Sequence, residues 1–294
     1  MRLAIKSFVK DLLEAPKYGL AKLYWKTIGY LHCLPFRFYF EAQYDKIHDD
    51  LMKEEEFLLI VLDACRSDYF IEEAEFFFDE YDVENVYSSG RNTFEYSRNT
   101  WNGDYKDIDY VSGATPVNSR LSREKAEESE WFKGFVPGDH LNIEDVWLTG
   151  WDDELGAVPP KEVRKETEET LKNGKKKVVS HFFQPHTPYI GEKRVLGYTG
   201  DRVGKMRGKP PDSYIWNRFK KKEITEKELR EAYRSNLRCV LEQVNKLIDN
   251  LDDDRRVVIT ADHGELLGES ARLHAHPTLN HPLLRKVPWM EFDE

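Results

Sequence analysis

Along this chain, short apolar runs alternate with longer stretches in which apolar residues recur every three or four positions. Phe57–Leu62 is continuously apolar, the mark of a strand covered on both faces. Val178–Phe183 and Val257–Thr260 predict two more strands, the second being the last clear one, and Val83–Tyr87, Asp109–Val111 and Val146–Leu148 predict weaker ones. Residues 159–173 open on Pro159-Pro160 and close before Gly174, which predicts a helix. Residues 224–251 predict a long amphipathic helix with Leu229, Tyr233, Leu237, Val240, Leu241, Val244, Leu247 and Ile248 on one face. Strands alternating with helices predict an α/β fold, a three-layer sandwich with a mostly parallel central sheet flanked by helices.

The N-terminal pattern is different. Leu3, Phe8, Leu12, Leu13, Leu20, Leu23, Tyr24, Ile28 and Leu31 recur at helical spacing between lysines, and Pro16 is expected to break that helix in two. A basic amphipathic arm of this kind either packs on the body or lies on a membrane surface. The arm is expected over residues 1–50 and one catalytic domain over residues 51–294.

Charge sharpens the division. The 294 residues carry a net −10, but residues 1–40 hold seven Lys/Arg and two Asp/Glu, so they carry +5 and the rest −15. An acidic body is a poor binder of nucleic acid, and no such partner is expected. Residues 191–222 invert the sign locally, with ten Lys/Arg against three Asp/Glu, and read as a basic loop insertion suited to an anionic ligand. Cys33, Cys65 and Cys239 form no C-x-x-C pair, which argues against a disulfide framework or a structural zinc site. No run approaches the ~18 apolar residues of a spanning helix. With no secretory signal pattern at the N-terminus, the expected location is cytoplasmic, with peripheral membrane contact through residues 1–31 as the variant.

Candidate chemistry sits where the best strands end. The first runs into Asp63, the second into His186 and the third into Asp262-His263. Parallel strands bring such residues to one sheet edge, where α/β proteins bind ligands. Carboxylate and imidazole together suit a divalent ion such as zinc or manganese. Such a site suits hydrolysis of phosphate or sulfate esters. Thr93 follows a predicted strand and a turn, at the expected N-cap of a helix, where the dipole favours an anionic substrate. His274, His276 and His281 share a late loop, and spacing does not choose between them.

These segments resemble the alkaline-phosphatase superfamily, in its sulfatase-like and nucleotide-pyrophosphatase-like branches, from about residue 55 to 290. Leu62-Asp63-Ala64-Cys65-Arg66-Ser67-Asp68 looks like the opening metal-binding motif, and Asn92-Thr93-Phe94 like the nucleophile segment. Pro185-His186-Thr187-Pro188-Tyr189 looks like the sulfatase-like P-H-x-P-Y motif. Thr260-Ala261-Asp262-His263-Gly264-Glu265 looks like T-x-D-H-G-E, and Ala275-His276-Pro277 like the late G-H-P segment. The resemblance implies Asp63, Thr93, Asp262 and His263 around one metal and Thr93 as a nucleophile forming a covalent ester. It places His186 and His276 on a second metal or the ester oxygens, and it counts Arg66 with Thr93 and His186 as catalytic. His181, His274 and His281 are left as bystanders.

The sequence departs from the family in three places. Cys65 lacks the surroundings of the cysteine that sulfatases convert to formylglycine. The segment His181–His186 lacks the aspartate of a second metal site. Thr93-Phe94 is followed by Glu95 rather than proline. The expected function is a hydrolase of phosphate or sulfate esters dependent on Zn, Mn or Ca, acting on an anionic substrate that is glycan- or lipid-linked. The alternatives are a phospho-head-group transferase and a non-catalytic binding protein on a degenerate fold.

Overall fold

The computed structural model describes residue 13 and residues 16–79, 82–195, 215–275 and 279–292. Two helices come first, α1 (Pro16–Thr27) and α2 (Gly29–Tyr39). The body then runs β1 (Phe57–Asp63), α3 (Ser67–Ala74), β2 (Val83–Tyr87), α4 (Thr93–Thr100), β3 (Tyr105–Ser112), β4 (Leu141–Glu144), α5 (Pro160–Lys172) and β5 (Lys177–Pro185). It continues with α6 (Ile215–Lys220), α7 (Glu226–Asp249), β6 (Arg256–Ala261), the short pair β7 (Leu266–Leu267) and β8 (His274–Ala275), and β9 (Lys286–Phe292).

Seven strands form one sheet in the order β2-β9-β6-β1-β5-β3-β4. The five from β6 to β4 are parallel, and β9 is antiparallel to both β6 and β2. β1 lies at the centre and is buried along its whole length, as its unbroken apolar run requires. Strand alternation then sorts the two layers of helices. Ser180 on β5 faces α5, where its hydroxyl meets that of Thr167 at 2.7 Å. His181, the next residue, faces the other layer with Tyr110 of β3 and with Trp101, which follows α4. The α7 helix starts with a reciprocal capping box between Thr225 and Glu228 and buries its predicted apolar face.

Two local expectations differ from the structure. Val146–Thr149 is a helical turn, not a strand; Trp147 Nε1 donates back to Asp145 at 3.0 Å, and the pairing segment is Leu141–Glu144. The strand β9 lies beyond the last one predicted, because Pro288 in its centre reads against a strand. Its carbonyl instead accepts from the Thr260 hydroxyl at 2.7 Å. In the arm, Pro16 opens α1, a position where its missing N–H costs nothing. A further boundary falls at Ile28-Gly29, where a Cβ on Gly29 would stand 2.3 Å from the Asn280 carbonyl oxygen.

Candidate metal and catalytic centre

The parallel strands deliver their ends to one edge. β1 closes on Asp63, and Ala64 turns away with φ 62°, a left-handed conformation costly for a residue with a Cβ. Two bonds hold that turn. Ala64 N–H donates to Asp262 Oδ1 at 3.0 Å, and its carbonyl accepts from the Tyr233 hydroxyl at 2.8 Å. The His263 N–H also donates to Asp262 Oδ1, at 2.8 Å, so one oxygen of Asp262 is fully engaged. The other, Oδ2, is buried without a hydrogen-bond partner. It lies 3.4 Å from His263 Nε2 and 3.8 Å from His181 Nε2, and the latter atom is likewise buried and unpartnered. Buried polar atoms without partners are costly and uncommon, and two facing each other mark a place for a ligand.

Thr93 completes the group. Asn92, not Thr93, caps α4: its side-chain oxygen accepts from the Glu95 N–H at 2.9 Å. Thr93 is therefore the first residue of the helix, and its hydroxyl has no capping duty. That hydroxyl lies 3.4 Å from Asp63 Oδ1 and 3.4 Å from His263 Nε2, and His263 Nε2 lies 3.5 Å from Asp63 Oδ1. His263 Nδ1 donates to the Gly264 carbonyl at 2.7 Å, which in the neutral ring leaves the lone pair on Nε2, facing the cluster.

Burial opposes charge on every member, and the outcome differs by neighbour. Burial would lower His263, but Asp262 and Asp63 raise it to about 9. Burial would raise Asp63, but His186 and His263 hold it below the usual carboxylate range. Burial wins at Asp262 and pushes it up. It also wins at His181, which is held as the neutral ring, and at Glu265, pushed up to about 8.

The donor set suits a small divalent cation. Bonds of about 2.0–2.1 Å in a tetrahedral site need donors roughly 3.3–3.4 Å apart. His263 Nε2 lies 3.4–3.5 Å from Asp63, Thr93 and Asp262, and Thr93 lies 3.4 Å from Asp63. Asp63, His181 and Asp262, all buried, also offer ligand atoms within 4.8 Å of one another.

The other predicted residues are placed differently. Arg66 follows the β1 turn, and its buried guanidinium is held by Asp68 at 2.5 and 2.9 Å and by Glu269 at 2.6 Å. His186 is half-buried beside β1; its N–H donates to the Asp63 carbonyl at 3.0 Å and its Nδ1 to the Thr187 carbonyl at 2.6 Å. His276 lies outside the described residues, as do residues 196–214 of the basic insertion. The end of that insertion forms α6, whose Trp216 stacks on His274. His281 packs against Trp25 of the arm, with ring centroids 4.1 Å apart and the planes tilted by 50°. His181, set aside in the sequence, joins the cluster because the register of β3 on β5 brings Tyr110 OH to its Nδ1 at 2.8 Å. The available signal was a lone imidazole inside an otherwise buried strand.

A family model described as Sulfatase matches residues 35–286. No curated protein sequence matches the chain. Among solved structures, the fold is similar to the soluble domain of lipooligosaccharide phosphoethanolamine transferase A from Neisseria meningitidis. The TM-score is 0.51 at 18% identity, over 80% of this chain and 75% of that one. It is also similar to the integral membrane form of that enzyme, with TM-score 0.50 and 17% identity over 80% of this chain. This chain covers 47% of that protein, about half its length. Among the described residues, no helix is long and apolar enough to cross a membrane.

Proposed function

The chain belongs to the sulfatase family, and we propose that it is a metal-dependent transferase that moves a phospho-head group through Thr93 to a hydroxyl on a glycan or lipid. The observation that carries this reading is the Thr93 hydroxyl, released from capping and set 3.4 Å from both Asp63 Oδ1 and His263 Nε2.

Asp63, Asp262 and His263, with Thr93, would hold one divalent ion. Their separations suit zinc or manganese better than calcium, which prefers six to eight oxygens at about 2.3–2.6 Å. When bound, the ion supplies positive charge that neutralises phosphoryl oxygens and favours the ionised hydroxyl. His181 stands beside it as a neutral imidazole that adds no charge.

The chain's own residues do the rest. Asp63 Oδ1 is the acceptor toward which the Thr93 proton is directed. Thr93 Oγ1 bonds to phosphorus, and the bond from phosphorus to the donor's ester oxygen breaks. We assign His186 the protonation of that departing oxygen. The acceptor hydroxyl then attacks phosphorus while its proton passes to His186, the bond from phosphorus to Thr93 Oγ1 breaks, and Oγ1 regains the proton held at Asp63. The N-terminus of α4 adds amide donors near the transferred group.

Phosphate is favoured over sulfate because no thiol stands at the cluster. Cys65 is wholly buried, its thiol is pushed up by burial, and its Sγ–H faces the Arg66 carbonyl. Transfer is favoured over hydrolysis by the two fold neighbours above, both phosphoethanolamine transferases. The test is turnover of an aryl phosphodiester bearing an aminoethyl head group, with glycerol added. The expected result is head-group-bearing glycerol in excess of the free head-group phosphate. Release to water alone would replace the transferase by a hydrolase, and turnover only of aryl sulfates would overturn the phosphoryl reading.

A further inference from the structure

The arm carries an apolar surface that the body does not cover. α1 turns Tyr18, Ala21 and Trp25 inward onto a small cluster with Leu266, Leu273, Leu279 and Leu284. Its outward side is mixed: Leu20, Leu23 and Tyr24 are exposed between Lys17 and Lys26. α2 behaves alike. Cys33 is buried against the body, while Leu31 is 60% exposed, Phe38 85% and Tyr39 83%. Large exposed apolar patches mark interaction surfaces.

The charge on the same segment says what covers it. Residues 16–39 contain Lys17, Lys22, Lys26 and Arg37 and no acidic residue. Two such faces repel each other, so a second copy is a poor occupant. Aliphatic and tyrosine side chains flanked by cations, on helices too short to span, are the composition of a surface that lies in the headgroup region of a bilayer. We propose that α1 and α2 dock this protein on an anionic lipid bilayer through Leu20, Leu23, Tyr24, Leu31, Phe38 and Tyr39, with Lys17, Lys26 and Arg37 against the headgroups.

The arm is also fixed to the rim of the centre. Asn280 N–H donates to the Trp25 carbonyl at 3.2 Å, and the Asn280 side chain accepts from Arg91, two residues before Thr93, at 2.9 Å. A docked arm therefore holds the Thr93 edge near the bilayer. A lipid-linked acceptor would be met there, a point that rests on the proposed function, whereas the docking itself does not.

The test is co-sedimentation of the full chain with vesicles of phosphatidylcholine alone or mixed with phosphatidylglycerol. The expected result is pelleting with the mixed vesicles and release at high salt. Phe38→Ser/Tyr39→Ser should stay in the supernatant, and Lys17→Glu/Lys26→Glu should weaken partitioning at least about tenfold. Both pairs should keep parental turnover of a water-soluble aryl phosphodiester, which also shows that they fold. Thr93→Ala should lose turnover yet pellet like the parent, so failure of docking and failure of the catalytic reading are separable. A chain that stays in the supernatant with both vesicles overturns the proposal. So does equal pelleting of the serine pair, or a parental dimer that the serine pair abolishes.

Discussion

The metal cluster and the N-terminal arm break the same packing rule in opposite directions. At the sheet edge, Asp262 Oδ2 and His181 Nε2 are polar, buried and unpartnered. On the arm, Phe38 and Tyr39 are apolar, large and exposed. Each arrangement costs stability in the isolated chain, and each is relieved by a ligand of matching chemistry, a cation in one case and an apolar interface in the other. The contrast also separates sources of rigidity. The cluster is held by backbone donors from two strand ends, Ala64 and His263, while the arm is held by one packed face and a few contacts to His274 and the leucine cluster.

The largest expected effect falls on the cluster. Thr93→Ala should lower turnover by at least about a thousandfold while bound metal, measured by atomic emission, stays at the parental level. Loss of metal together with turnover would make Thr93 a ligand first and a nucleophile second.

Next is metal itself. A chelator should lower the Tm by roughly 4 °C, the equivalent of a ligand near a hundred times its Kd. Asp262→Ala should lose the response to added metal. An unchanged Tm in the parent would turn the two orphaned atoms into a defect of packing.

Smaller still, Tyr110→Phe leaves His181 without its partner. It should weaken metal binding by about tenfold in competition titration with little change in fold. No change would place His181 outside the metal's reach.

The smallest effect lies where the arm meets the body. Burial, with Arg66 and His32 adding to it and Glu269 opposing, pushes His281 down to about 4. Below pH 6.5 the unfolded chain takes up a proton that the folded ring refuses, so stability falls as the pH drops from about 6.5 to about 4. His281→Gln should flatten that part of the Tm–pH curve.

What the sequence revealed follows the same divide between local and distant determinants. Asp63, Asp262 and His263 were legible because each ends an apolar run, and a parallel sheet makes strand ends converge. His181 was not, because its place depends on the pairing of Tyr110 with β5, 71 residues apart in sequence. The bonding of Arg66 was hidden for a similar reason: its carboxylate partner Glu269 lies 203 residues away. Asn92 took the cap expected of Thr93, a shift of one residue that spacing does not resolve but that frees the hydroxyl. In the arm, periodicity indicated the helices but not which side would be covered, since both sides carry apolar residues.

The most direct test of the account is mass spectrometry of the enzyme quenched during turnover of the aryl phosphodiester. The expected result is a phospho-head-group adduct on the peptide containing Thr93, chased by added acceptor alcohol and missing in Thr93→Ala. An adduct on Ser89 or Ser97, or steady turnover with no adduct at all, would contradict it.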